Sequence, residues 1–201
     1  HGDVVKRKME SKTLEVAGDG DRTLVTFLWP ADVKGTKMLT WTHKAKEDDQ
    51  WLYLPALKRV KRINSRSKTG SFMGSEFSYE DIGGQEAEKF DYKFIKDDAL
   101  EKRKVWVLER VAKDKKSGYS KQVVWMDQEY NSPLKIEYYD RKSELLKVSI
   151  LSGHTKINKW WRAGQIAMEN VQTKKKSIIS WTGRKLGKSL SKSIFNKSRL
   201  K

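Results

Sequence analysis

The sequence predicts a mainly β, α+β protein: a curled antiparallel sheet of about ten strands with a few short helices. Three observations carry this. The dominant hydrophobic period is two rather than 3.6, the periodic segments are short, and turn signals separate most of them by about two to six residues. Connections that short leave no room for the crossover helices of a parallel sheet. An open antiparallel sheet with that many strands curls toward a barrel or part of one.

In chain order, HGD at 1–3 reads as a turn and leads into an alternating segment. Across 23–29, Val25, Phe27 and Trp29 alternate with Leu24, Thr26 and Leu28, a strand with apolar groups on both faces. Further strands are expected at 37–43, 50–55, 57–63, 88–95, 104–111, 121–127, 134–140, 144–151, 160–171 and 177–183. Turns are expected at GDGD (18–21), KEDD (46–49), KDD (96–98), KDKKSG (113–118), YNSP (130–133), DRKSE (140–144) and TKKK (173–176). Helix is confined to SEFSYEDI (75–82), capped by Ser75 or Ser78, and to a short basic helix in 189–201 with Leu190, Ile194 and Phe195 on one side. No boundary rich in Pro, Gly or Ser breaks the pattern and no long repeat is present, so 1–201 reads as one domain.

The chain is long enough to bury a core, and its 43 Lys and Arg against 26 Asp and Glu leave +17, which attracts polyanions and says nothing about fold. With no cysteine, disulfides, thiolate metal sites and cysteine nucleophiles are excluded. No apolar run is long enough for a membrane-spanning helix. The first residues lack the apolar core of a signal peptide, so an exported chain would have lost its signal upstream.

Nothing points to catalysis. His1, His43 and His154 show no metal-ligand spacing, and the pairs Asp48–Asp49 and Asp97–Asp98 lie in turn signals. GDGD lacks the helix a phosphate cradle needs, and no GxSxG elbow occurs. No catalytic residue, metal or cofactor is assigned.

The aromatic inventory is more informative. Trp29, Trp41, Trp51, Trp106, Trp125, Trp160, Trp161 and Trp181 all fall within or at the ends of expected strands. Val105 and Val107 oppose Trp106 and Leu108, so that strand is apolar on both sides. A second apolar face is required only where helices, a partner or a ligand cover it. The stretch SFMGSEFSYEDI (71–82) places Phe72, Met73, Phe77, Tyr79 and Ile82 among Gly and Ser, a greasy and flexible segment suited to such a cover.

DDQWLYLPALKRVKRI (48–63), GSFMGSEFSYEDI (70–82), KQVVWMD (121–127) and PLKIEYYDRKSELLK (133–147) resemble the periplasmic outer-membrane lipoprotein-sorting family, relatives of the lipoprotein carrier LolA. The similarity runs from about Thr13 to the C-terminus. It implies an unclosed antiparallel half-barrel whose hollow is covered by a few helices and shelters acyl chains of a lipid or lipoprotein. It also implies export to the periplasm, monomeric action without cofactor or catalysis, and handover to an outer-membrane acceptor or beside an inner-membrane lipid-exporting transporter. An N-terminal helix and first strand usually precede the residue matching His1, and this chain departs from the family there. On this resemblance the cavity and its lid are expected to draw on Phe27, Trp29, Leu39, Trp41, Trp51, Tyr53, Phe72, Met73, Phe77, Trp106, Leu108, Trp125, Ile136 and Tyr138. Gly70, Gly74, Gly83 and Gly84 would supply hinges for the 71–82 segment. These assignments rest on strand parity, which a one-residue slip reverses.

A basic strand accompanies them. Lys58 and Arg62 share a side with Val60, Arg59 and Lys61 with Ile63, and the four are candidates for contact with an anionic membrane or partner. The C-terminal Lys185, Lys188, Lys192, Lys197, Arg199 and Lys201 form a second basic group. The rival reading is a polyanion or single-stranded nucleic-acid binder that neutralises phosphates and stacks bases. No aromatic-rich RNA-binding signature, zinc spacing or helix-turn-helix pattern supports it, and the aromatics fall among aliphatic neighbours as cavity walls do. Nucleic acid is therefore not the expected partner.

Overall fold

A computed structural model describes residues 3–201; His1 and most of the expected HGD turn lie outside the described residues. The chain divides into two compact units, one built from the chain up to Ser67 with Gly83–Glu88 and Ser189–Lys201, the other from Lys68–Ile82 and Lys89–Lys188.

The first unit is a five-stranded antiparallel meander of β1 (Lys8–Leu14), β2 (Arg22–Trp29), β3 (Lys37–Trp41), β4 (Asp49–Leu54) and β5 (Arg59–Ile63), each paired with its neighbour in sequence. Leu24 lies opposite Leu39, and Leu39 opposite Trp51, so these share a face with Tyr53 and Val60. That face is filled by the C-terminal Leu190, Ile194, Phe195 and Leu200. Trp41 and Trp51 meet edge to face at 5.1 Å, and the Trp41 indole N–H donates to the Phe195 carbonyl at 2.8 Å. The other face buries Phe27, Met38, Leu52 and Ile63.

The segment that fills the first face is not the expected helix. It forms two 3-10 turns, Lys192–Phe195 and Lys197–Arg199. The Ser191 side chain accepts from the Ser193 N–H and Asn196 from the Ser198 N–H, and this local recapping competes with propagation of an α-helix. Likewise, the 57–63 run starts as a strand only at Arg59, because Pro55–Leu57 makes a 3-10 turn closed by Lys58 in the left-handed region.

The second unit begins with α1 (Tyr79–Ile82). It continues through β6 (Phe90–Leu100), β7 (Arg103–Ala112), β8 (Lys121–Asp127), β9 (Pro133–Tyr139) and β10 (Leu145–Ser152). A separate two-stranded hairpin of β11 (Thr155–Ile157) and β12 (Trp160–Arg162) follows, and then β13 (Gln165–Asn170) and β14 (Lys175–Ser180). Seven of these form one antiparallel sheet in the order β14-β13-β10-β9-β8-β7-β6.

The protein is mainly β, with antiparallel sheets that do not close into a barrel, as the period-two pattern predicts. The described residues hold fourteen strands rather than about ten, in two larger sheets and a hairpin. The run 160–171 splits at Gly164, whose backbone approaches Gly153 so closely that a Cβ would sit 2.7 Å from the Gly153 carbonyl oxygen. The turn expected at 96–98 lies further on. Asp97 and Asp98 are strand residues opposite Trp106 and Val105 past a bulge at Ile95, and the chain reverses at Glu101 and Lys102, both at positive φ.

Candidate functional site

The seven-stranded sheet carries the 71–82 segment on one face, the inner face. Cross-strand registers place Phe94, Leu108, Val124, Ile136, Ser149 and Met168 side by side there, one per strand from β6 to β13. One flanking row holds Trp106 and Met126 at one end and Ile166 and Ile179 at the other. The other flanking row is polar: Tyr92, Arg110, Gln122, Tyr138, Lys147 and Asn170. An apolar band therefore crosses the sheet beside a polar one.

The 71–82 segment folds over part of this band. The Phe72 N–H donates to the Phe77 carbonyl at 2.7 Å and the Ser75 N–H to the Phe72 carbonyl at 3.0 Å, closing a tight turn. Met73 (φ 52°) and Gly74 (φ 75°) form its tip. Glycine takes that conformation freely, whereas for Met73 it is uncommon. Phe77, at the base, is buried with Tyr119, Val124, Ile136, Tyr138 and Met168, and Ile82 packs beside them. The short helix is capped reciprocally, since the Ser78 N–H donates to Asp81 Oδ2 at 2.7 Å and the Asp81 N–H to Ser78 Oγ at 3.2 Å.

Polar contacts seat the helix on the sheet. Asp81 accepts from the Tyr119 hydroxyl at 2.8 Å and from Lys147 Nζ at 3.3 Å, with Lys147 and Asp81 both nearly withdrawn from solvent. Burial, reinforced by the Asp81 charge, pushes the Tyr119 phenol well above its ordinary range, and burial does the same for Tyr138. Glu80 accepts from the Ser117 hydroxyl and from the Gly118 N–H at 2.9 Å. Its burial outweighs these bonds and raises its carboxyl. The Glu76 N–H donates to Ser177 Oγ at 3.0 Å, and Lys68 pairs with Asp114. Between this seat and the polar row lies a cavity of about 280 Å³ lined by Ser71, Phe77, Ser78, Tyr119, Leu146 and Lys147 among others. That is near the lower limit of small-ligand sites, which start at about 300 Å³.

Toward β6 the same face is uncovered. Phe94 is 55% and Tyr92 48% exposed, and Ile95 at the bulge is also exposed. Trp106 and Leu108 beside them are half-buried.

The structure divides the expected cavity residues. Trp106, Leu108, Ile136 and Tyr138 share the inner face, while Phe72 and Phe77 sit at the base of the cover and Met73 at its tip. Trp125 alternates with Val124 and so lies on the opposite face, under the Lys135 ammonium at 4.3 Å. Leu39, Trp41, Trp51 and Tyr53 pack against the C-terminal segment in the first unit. Phe27 is buried on the other side of that sheet, and Trp29 stands half exposed at a strand end. Of the expected hinges, Gly74 has open space around it, but Gly84 is wedged against Thr42, where a Cβ would come within 2.1 Å of the hydroxyl oxygen. Phe94, Val124 and Met168 belong to the face without having been singled out. Each lies in a segment expected to be a strand, and only pairing shows which side it takes.

The basic strand β5 is an edge strand. Arg62 and Val60 face Trp51 and Tyr53, with Arg59, Lys61 and Ile63 on the other side, and Lys58 stands outside the strand. Arg62 is tied to Asp49. His43 is clasped by Asp19 at 2.7 Å and Asp49 at 3.1 Å; its hydrogen bond is the chief cause holding the Asp19 carboxyl down at about 2. His154 stacks on Tyr130 at 4.9 Å. Among the described residues no group of three or more His, Cys, Asp or Glu could hold a metal ion, and no helix is long and apolar enough to cross a membrane.

A family model described as "-like: Uncharacterized protein" matches residues 19–201. Among solved structures, a domain from Vibrio parahaemolyticus assigned to outer membrane lipoprotein sorting is 48% identical over 96% of this chain and 83% of that one, with a TM-score of 0.88. A DUF1329 family protein from Desulfovibrio piger is 33% identical over 100% of this chain and 86% of that one, at 0.93. A LolA superfamily protein from Nitrosomonas europaea, 20% identical over 96% and 89%, shares the fold at 0.72. No curated protein matches.

Proposed function

The chain belongs to the outer-membrane lipoprotein-sorting family of the LolA superfamily, and from that premise we propose that it is a non-enzymatic periplasmic carrier that shelters acyl chains of a lipid or lipoprotein on the inner face of its seven-stranded sheet. The observation that carries this reading is the apolar band itself, closed by Phe77 at one end and open to solvent at Phe94, beside half-buried Leu108, at the other.

Dimensions suit the cargo. Strands spaced about 4.8 Å apart make the seven-stranded sheet roughly 29 Å wide. One lipid leaflet contributes about half of the ~30 Å hydrocarbon core, so the band accommodates an acyl chain. The open end by itself takes only part of one. Full loading requires the 71–82 segment to lift off its seat of Phe77, Ile82, the Asp81–Lys147 pair and the Glu76 and Glu80 hydrogen bonds. Each methylene moved from water is worth about 0.8 kcal/mol, in the carrier as in a bilayer. A carrier need only match the membrane closely, so a partly open face serves better than a sealed, rigid pocket. Lys58, Arg59 and Lys61 offer cations to an anionic membrane, an inner-membrane transporter or an outer-membrane acceptor.

Brominated fatty acid tests the site, because it quenches only tryptophans it touches. Saturable quenching is expected in the wild type, largely lost in Trp106→Phe and retained in Trp125→Phe on the opposite face. Quenching that never saturates, or that disappears with Trp125 rather than Trp106, would sink the assignment.

A further inference from the structure

The positive charge of this protein is concentrated at one end of the chain. Between Leu145 and Lys201 there are fourteen Lys and Arg against the single acidic residue Glu169, which gives 14 − 1 = +13 of the overall +17. Glu169 itself lies opposite Lys176 in the β13–β14 pairing. The β11–β12 hairpin emerges from this stretch.

Its two tryptophans have different surroundings. Trp161, on one side of the hairpin, packs on Tyr130 at 4.3 Å, and Tyr130 in turn lies under the Arg103 guanidinium at 3.8 Å. This anchors the hairpin. Trp160, on the other side opposite Ile157, is 51% exposed. Lys159 lies 5.0 Å and Arg162 5.9 Å from its ring. Arg184 adds a further cation against exposed Trp181 at 4.9 Å and donates to the Ala163 carbonyl at 3.0 Å. Among the described residues, Lys156, Lys159, Arg162 and Arg184 have no carboxylate partner. Burial and the neighbouring Arg162 charge both hold the Arg184 guanidinium below its ordinary range, which an arriving anion would relieve.

Exposed indole ringed by unpaired cations matches the boundary of an anionic bilayer, where Trp settles at headgroup level and Lys or Arg meet phosphate. We infer that the β11–β12 hairpin, through Trp160, Lys159 and Arg162, docks this protein on an anionic phospholipid surface; Lys156, paired with Trp161, lies on the anchored side. This deepens the carrier reading by locating the meeting place with the donor or acceptor membrane, and it can be tested apart from cargo binding.

Co-sedimentation of the full chain with phosphatidylcholine vesicles, with and without phosphatidylglycerol, tests it. Binding is expected only with phosphatidylglycerol and falls as salt rises. Lys159→Gln and Arg162→Gln together should weaken it about twenty-five-fold, at roughly fivefold per charge. Trp160→Ser should weaken it about tenfold. Fatty-acid quenching should be unchanged in both variants, which separates failure of docking from failure of the cargo site. Lys174→Gln and Lys175→Gln remove the same charge at the turn joining β13 to β14, about 17 Å along the strand from Gln165, and should matter much less. An equal loss there, undiminished vesicle binding by the hairpin variants, no binding by the wild type, or displacement of the wild type from vesicles by single-stranded DNA of matched phosphate content would each overturn the inference.

Discussion

At β8 to β13 the inner face of the seven-stranded sheet is a core: Ile136 and Met168 lie under Phe77, and the short helix above is fixed by Asp81, Lys147 and Tyr119. At β6 and β7 residues of the same character, Phe94, Leu108 and Trp106, have nothing comparable over them. The side chains hardly differ. What differs is whether the chain supplies its own cover, and the contrast teaches that the covered end stores stability while the open end is the part the proposed carrier would use for cargo.

The largest expected effects test that division. Met168→Ala and Ile136→Ala should each cost about 3 kcal/mol in denaturant unfolding, because a cavity forms in a closed site. Phe94→Ala should cost well under 1 kcal/mol yet weaken fatty-acid binding clearly. Similar stability losses at both ends would dissolve the distinction. Next in size, Asp81→Ala leaves the Lys147 ammonium buried and the Tyr119 hydroxyl without its acceptor. A loss of about 3 kcal/mol is expected, with faster amide exchange across 71–82. Replacing both charges, with Asp81→Leu and Lys147→Met, should restore part of that stability by removing the buried unpaired ammonium, while the Tyr119 hydroxyl and the Ser78 N–H stay without their acceptor.

A smaller effect concerns pH. Burial raises the Glu80 carboxyl, so the folded state takes up a proton at higher pH than the unfolded chain does. The Glu80 contribution to stability therefore grows as pH falls through the folded-state value, levels off below the unfolded value, and is lost as pH rises. Glu80→Gln should lose that slope, so that it appears in the difference between the wild-type and variant stability profiles; parallel profiles would show the seat to be insensitive to this carboxyl. Smallest, Gly74→Ala should cost about 1 kcal/mol, since φ is positive there but the space is open.

Strand positions were legible because the pleat imposes a period of two wherever one side meets a core, as in 121–127 and 133–139. A capped turn in 75–82 was legible for a similarly local reason, with Ser75 and Ser78 both offering a cap, and the structure places it at Ser78, three residues before the acid Asp81. Trp125 was not. Its neighbours Val124 and Met126 are as apolar as it is, so alternation does not mark its side, and only the pairing of Val124 with Ile136 does. Trp41 and Trp51 were misleading for another reason. A ligand and the remote residues Phe195 and Leu200 call for the same apolar surface, and no local pattern distinguishes them.

By itself, then, the amino-acid sequence determined the β class, most strand positions, the capped helix under 71–82 and the basic character of the chain, all of which depend on near neighbours or on composition. Tertiary structure alone decided which sheet faces the chain fills with its own residues and which it leaves open. Covering a face is a matter of contacts between segments far apart in the sequence, such as Trp41 with Phe195, and the free energy of burial is indifferent to where along the chain the covering atoms come from.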